Sequence, residues 1–118
     1  MFHCIFPDRE VFYVGEKIKV TAVICSNESR SLYLEYPWFV VKIYKDGLYV
    51  GTEPSYYVLL DITRTLKLTP GKCYRETLSI PLYLPGHYTL QPFFVFKEAT
   101  KADKKAVLGE EKVVIVEK

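Results

Sequence analysis

The sequence predicts an all-β domain, folded as an immunoglobulin-like antiparallel Greek-key β-sandwich of about seven to nine strands. Three observations carry that expectation. Apolar residues alternate with a period of two along most of the chain, the pattern of strands with one buried face. Turn signals recur at intervals near the ~8–12 residues of a sandwich. Aromatic residues make up 15% of the 118 residues, with ten Tyr, seven Phe and one Trp, and Tyr and Phe pack well on a pleated surface. No long helical period is present, which excludes a parallel α/β sheet with its helical crossovers.

The clearest strand runs from Lys17 to Cys25. Ile18, Val20, Ala22 and Ile24 share one face, and Lys17, Lys19 and Thr21 the other, so one side is dry and one wet. Gly15-Glu16 is its entry turn. Ser26 to Ser31 is a polar loop with good turn chemistry. Leu32, Leu34 and Tyr36 alternate with Tyr33 and Glu35 until Pro37 ends the strand, because proline cannot donate to the ladder. Phe39, Val41 and Ile43 begin the next strand, and Asp46-Gly47 turns it back into Leu48 to Val50 as a hairpin. Gly51 to Ser55 is a loop around Pro54, followed by an apolar run from Tyr56 to Leu60 and the short alternation of Leu66 and Leu68.

Thr69-Pro70-Gly71-Lys72 carries Pro and Gly in the order of a type II turn. Leu78, Ile80 and Leu82 form a strand that Pro81 places at an edge or an end. Leu84-Pro85-Gly86-His87 reads as a second Pro-Gly turn, and it feeds the strand Tyr88 to Phe96. A Tyr at that place in a sandwich ties its hydroxyl to backbone across the corner, so Tyr88, Pro85, Gly86, Pro70 and Gly71 are read as structural. Lys97 to Glu111 is the most polar stretch and reads as a solvated loop. Val113 to Val116 is the last strand. No linker or repeat divides the chain, so residues 1–118 form a single β-sandwich domain of ordinary size.

In this order, the Gly15-Glu16 entry, the alternation Ile18-Lys19-Val20-Thr21, the hairpin Val41 to Gly47, Leu68-Thr69-Pro70-Gly71 and Leu84-Pro85-Gly86-His87-Tyr88-Thr89 make a series. That series resembles the intracellular proteinase inhibitor (BsuPI) family over roughly residues 15–96. The resemblance implies a small sandwich whose partner is a serine protease. Its motifs are shared by many immunoglobulin-like domains, and one fold hosts many functions.

Composition narrows the function further. The net charge of +2 and a pI of about 8.4 leave no basic footprint for nucleic acid. No segment approaches the ~20 apolar residues of a membrane helix. Met1 to Val14 lacks the basic start and apolar run of a signal peptide, so the expected location is cytoplasmic. Asn27-Glu28-Ser29 matches the N-glycosylation pattern, which matters only in a secreted protein.

The three cysteines, Cys4, Cys25 and Cys73, cannot all pair within one chain. Cys25 ends an apolar strand and reads as a buried thiol, with a Cys4–Cys25 or a Cys25–Cys73 bridge as the alternatives. No Cys/His cluster has metal-ligand spacing, so no metal and no cofactor is expected. The histidines, His3 and His87, stand on separate segments, and Cys73 with His87 has no reason to converge as a nucleophile and base. Asp61 and Glu76 are read as solvated acids rather than a catalytic pair. No enzyme is expected.

Interaction candidates are Tyr49, Tyr56 and Tyr57, because Tyr is enriched at interfaces. Trp38 is assigned to the core. Gly51 to Ser55 and Lys97 to Glu110 are the loops long enough to reach a protease. The function expected is a non-enzymatic protein-binding domain, a protease inhibitor if the resemblance extends that far. The alternative is a structural or accessory immunoglobulin-like module of a surface, viral or multiprotein assembly.

Overall fold

Eleven strands in two sheets, with no helix among the described residues, make up the computed structural model. It describes residues 2–26, 31–35, 38–54, 65–98 and 105–118. The strands are β1 (Phe2–Pro7), β2 (Val11–Tyr13), β3 (Ile18–Cys25), β4 (Leu32–Glu35), β5 (Phe39–Lys45) and β6 (Leu48–Glu53), followed by β7 (Thr65–Leu68), β8 (Cys73–Ile80), β9 (Gly86–Glu98), β10 (Lys105–Leu108) and β11 (Lys112–Glu117). A three-stranded sheet has the order β1-β3-β8. The other sheet is built on β9, which pairs with β11, β10, β5 and β4, and it extends to β2 beside β11, β6 beside β5 and β7 beside β4.

The alternation seen in the sequence is the burial pattern. Ile18, Val20, Ala22 and Ile24 of β3 are at most 1% exposed, and they face Phe39, Val41, Ile43, Leu90, Phe94, Phe96, Val114 and Val116 of the larger sheet in one core. Burial of this apolar surface is the main force holding the sheets together. Trp38 is inside it, 2% exposed, with its ring against Phe39, Tyr74 and Phe94. The expected Asp46-Gly47 hairpin is present. Both residues have positive φ, 48° and 84°, as the tight turn between twisted strands requires.

β9 contains Pro92, a residue normally confined to sheet edges. Asp46 N–H donates to His87 O, and Val95 N–H to Trp38 O, so the odd-numbered residues of β9 bond toward β5. The even-numbered residues then face β10 and β11. Pro92 therefore presents its missing N–H where the chain turns from β10 into β11, and its carbonyl accepts from Gly109 N–H at 3.0 Å. The proline lies in the gap between the stretches of β9 that pair with β11 (Gly86 to Leu90) and with β10 (Phe93 to Phe96).

The structure departs from the sequence reading in several places. First, the N-terminal stretch forms two strands. β1 pairs with β3, the chain crosses between the sheets at Asp8–Glu10, and β2 pairs parallel to β11, so the sandwich is not wholly antiparallel. Second, Lys105–Leu108 is a strand paired with Phe93–Phe96 rather than part of a solvated loop. Third, Cys25 is not a free thiol. It lies opposite Cys73 in the β3–β8 register and is bonded to it, which leaves Cys4 as the free, buried thiol. Fourth, Leu84-Pro85-Gly86-His87 is not a closed turn, because Gly86 already opens β9 and pairs with Val116.

Candidate functional site

Three turns are fixed by side chains, and they set the frame. Lys72 N–H donates to Thr69 O at 3.1 Å across Pro70-Gly71, and Gly71 has φ 77°, the geometry of a type II turn. Ser26 Oγ donates to Thr69 O at 2.5 Å beside the Cys25–Cys73 bridge. At the start of β9, the Tyr88 hydroxyl donates to Leu84 O at 2.7 Å, and the side chain is 3% exposed. Burial pushes the Tyr88 phenol above its ordinary pKa, so it remains a donor. At Gly86, a Cβ would come within 2.6 Å of Lys45 Cε. The third turn joins β2 to β3. Glu16 accepts from Tyr13 N–H at 2.9 Å and from the Arg9 guanidinium, whose ion also lies 4.7 Å over the Phe12 ring.

The crossing of Asp8–Glu10 from one sheet to the other opens a groove of about 490 Å³ beside β11. Phe6 and Pro7 from the end of β1, Glu10 from the crossing, Glu111 just before β11, and Val113 and Ile115 from β11 line it. Phe6 and Val113 are 47% and 56% exposed.

Backbone geometry makes this groove a strand edge. Ile115 N–H donates to Glu10 O, and Glu117 O accepts from Val14 N–H, so odd-numbered residues of β11 bond toward β2. By alternation the N–H and C=O of Val113 face the same side. The register of β2 against β11 begins only at Ile115, and no described backbone group reaches Val113 from that side. An unpaired edge of this kind is a template for another strand.

Of the residues singled out in the sequence, Tyr49 is on β6, 58% exposed, with its hydroxyl 2.5 Å from Thr52 Oγ1 and its ring 5.8 Å from that of Tyr44. Leu48 and Val50 beside it are also exposed. Tyr49 is not near the groove, because β6 lies two strands from β9 on the side opposite β11. Tyr56, Tyr57, Asp61, Ser55, Asn27–Ser29 and residues 99–104 lie outside the described residues. Gly51 to Glu53 belong to β6, and Lys97 and Glu98 to β9. Cys73 is in the bridge, so it is not a nucleophile for His87. Cys4 is 7% exposed and burial raises its thiol pKa, which suppresses the reactive thiolate. No group of three His, Cys, Asp or Glu among the described residues is placed to hold a metal. Among the described residues, no helix is long and apolar enough to cross a membrane.

Sequence reasoning missed the groove, because it arises from a sheet-to-sheet crossing. The one local hint is the Asp8-Arg9-Glu10 interruption between two apolar stretches.

No protein-family model matches the chain, and no curated protein matches it in sequence. A solved structure does share the fold. This chain is similar to the crystal structure of Spo0M, a sporulation control protein from Bacillus subtilis, with a TM-score of 0.59 and 14% sequence identity. The match covers 98% of this chain and 49% of that one, so the chain spans about half the length of this structural neighbour. At that identity the likeness concerns the fold alone.

Proposed function

We propose that the domain is a non-enzymatic protein-binding module whose docking edge is β11. The observation that supports this is the unpaired Val113 backbone beside an open groove with exposed Phe6 and Val113. Strand addition at such an edge gives affinity through main-chain hydrogen bonds and specificity through side-chain pockets. The narrower reading, inhibition of a serine protease, rests on the BsuPI-like series of motifs.

A second reading, an accessory module within a larger assembly, is favoured by the coverage of the structural neighbour, of which this fold spans 49%. The cytoplasmic location expected from the sequence meets a counter-argument in the Cys25–Cys73 bridge, since lasting disulfides belong to oxidising compartments.

Affinity capture with the domain as bait, run beside a Val113→Pro variant, tests the docking edge. Proline removes an N–H that faces away from β9 and leaves the β9 ladder intact. Partners held by the wild type and lost from a folded variant support the reading. Identical partner sets would remove β11 from it. A captured serine protease that the purified domain then inhibits narrows the function to protease inhibition, whereas partners of other kinds favour the accessory module.

A further inference from the structure

This inference rests on the reading of β11 as a docking edge. Four charged side chains border the groove. The two cations are already engaged: Arg9 is paired with Glu16, and Lys112 lies 3.8 Å from Glu110. The carboxylates of Glu10 and Glu111 are exposed and have no cationic partner among the described residues. The domain carries a small positive net charge, yet the unneutralised charge at this edge is negative. One glutamate stands on each wall of the groove, Glu10 on the crossing segment and Glu111 just before β11.

We propose that the occupant is a short extended segment of a partner protein that adds as a strand at Val113 and carries Lys or Arg opposite Glu10 and Glu111. An apolar side chain of that segment covers Phe6 and Val113, which are otherwise left in water. Main-chain pairing supplies affinity without regard to sequence, and the two glutamates reject acidic segments, because like charges brought together at an interface are costly. The β6 edge lacks this combination. Its exposed Leu48, Tyr49 and Val50 form an apolar strip, and the acidic residue of this strand, Glu53, stands at its far end.

Two synthetic peptides test the charge preference on the intact chain, one alternating Lys and Val, the other Glu and Val. Binding is followed at low salt by amide chemical shifts of the domain. The expected result is that the Lys peptide shifts the amides of Glu10 and of Glu111 through Ile115. It should bind roughly three- to tenfold more tightly than the Glu peptide, as two exposed ion pairs allow, and the gap should shrink as salt screens the charges. The surface double variant E10K/E111K should reverse the order of the two peptides.

Equal affinities with shifts at β11 would overturn the basic-segment proposal and leave the docking edge standing. Shifts confined to β6, or none with either peptide, would sink the edge and the proposal together. A concentration-dependent dimer with protected β11 amides would overturn it in favour of a second copy of this chain.

Discussion

Two Pro-Gly segments, Thr69-Pro70-Gly71-Lys72 and Leu84-Pro85-Gly86-His87, look interchangeable in the sequence and do different work in the fold. The first is a closed turn. A Cβ at Gly71 would meet nothing within 4 Å, so that glycine serves its φ of 77° and not a packing need. The second is an open corner, where Gly86 leaves room for the Lys45 side chain. Each segment is followed within two residues by a clasp, Cys73 in one case and Tyr88 in the other. β8 is an edge strand whose outward residues are exposed, so its start is tied covalently to β3. β9 is the centre of its sheet with four strand partners, and one buried hydrogen bond holds its corner. The turn at Gly15 is a third variant, closed by a backbone hydrogen bond from Glu16 N–H to Tyr13 O, by the Glu16 carboxylate on Tyr13 N–H and by an exposed ion pair to Arg9. At the two Pro-Gly segments, the clasp is stronger where the surrounding sheet contributes less.

That ordering predicts a descending series of effects. The largest belongs to the disulfide, which closes a separation of 48 residues. A Cys25→Ser/Cys73→Ser double variant should lose about 2–4 kcal/mol in denaturant unfolding, chiefly because its unfolded chain is freer. Hydrogen exchange should accelerate in β8 more than in β9. Equal loss of protection in the two strands would break the comparison, since it would mean that the clasp serves the whole fold. Alkylation of the protein after unfolding without reductant, followed by mass measurement, should count one thiol, that of Cys4.

The hydrogen bond comes next. Tyr88→Phe removes the donor to Leu84 O and keeps the ring in the core, so the expected cost is about 1 kcal/mol. An unchanged denaturant midpoint would show that the corner is held by packing alone. Gly71→Ala offers a control of the same size from a different cause, because it strains a positive φ without meeting any atom.

The parts of this fold that were legible in the sequence are those fixed by local chemistry. The β3 alternation, the Asp46-Gly47 hairpin and the Tyr88 corner each depend on a few neighbouring residues. What escaped depends on long-range pairing. Cys4 and Ile5 are consecutive and both buried, while Phe2 and Phe6 are exposed, so β1 shows no clean alternation to mark it. β2 has three residues, and its partner is at the other end of the chain. β10 begins in a lysine-rich segment and is recognisable only once β9 is beside it. The choice of Cys73 over Cys4 as the partner of Cys25 is a matter of register between β3 and β8. The groove depends on all of these at once, since it exists only where β1 leaves one sheet and β2 joins the other.

The smallest effect in the series belongs to Glu16. Its carboxyl accepts from the Arg9 guanidinium first and from Tyr13 N–H second, and both hold its pKa below the ordinary glutamate value. A group depressed in the folded state stabilises it only while ionised there, so the contribution is complete above the unfolded pKa of about 4.3. It is lost as the pH falls through the lower folded value. Because the pair is exposed, the change should be small and screened by salt. A carboxyl-detected titration should place Glu16 below the other exposed glutamates, and Arg9→Gln should move it back toward them. A Glu16 titration unaffected by Arg9→Gln would leave only the Tyr13 N–H to lower its pKa. The turn at Gly15 would then be closed by backbone and one carboxylate alone. The ionic part of that clasp would drop out of the comparison, with the Glu16 carboxylate on Tyr13 N–H left beside the disulfide and the tyrosine.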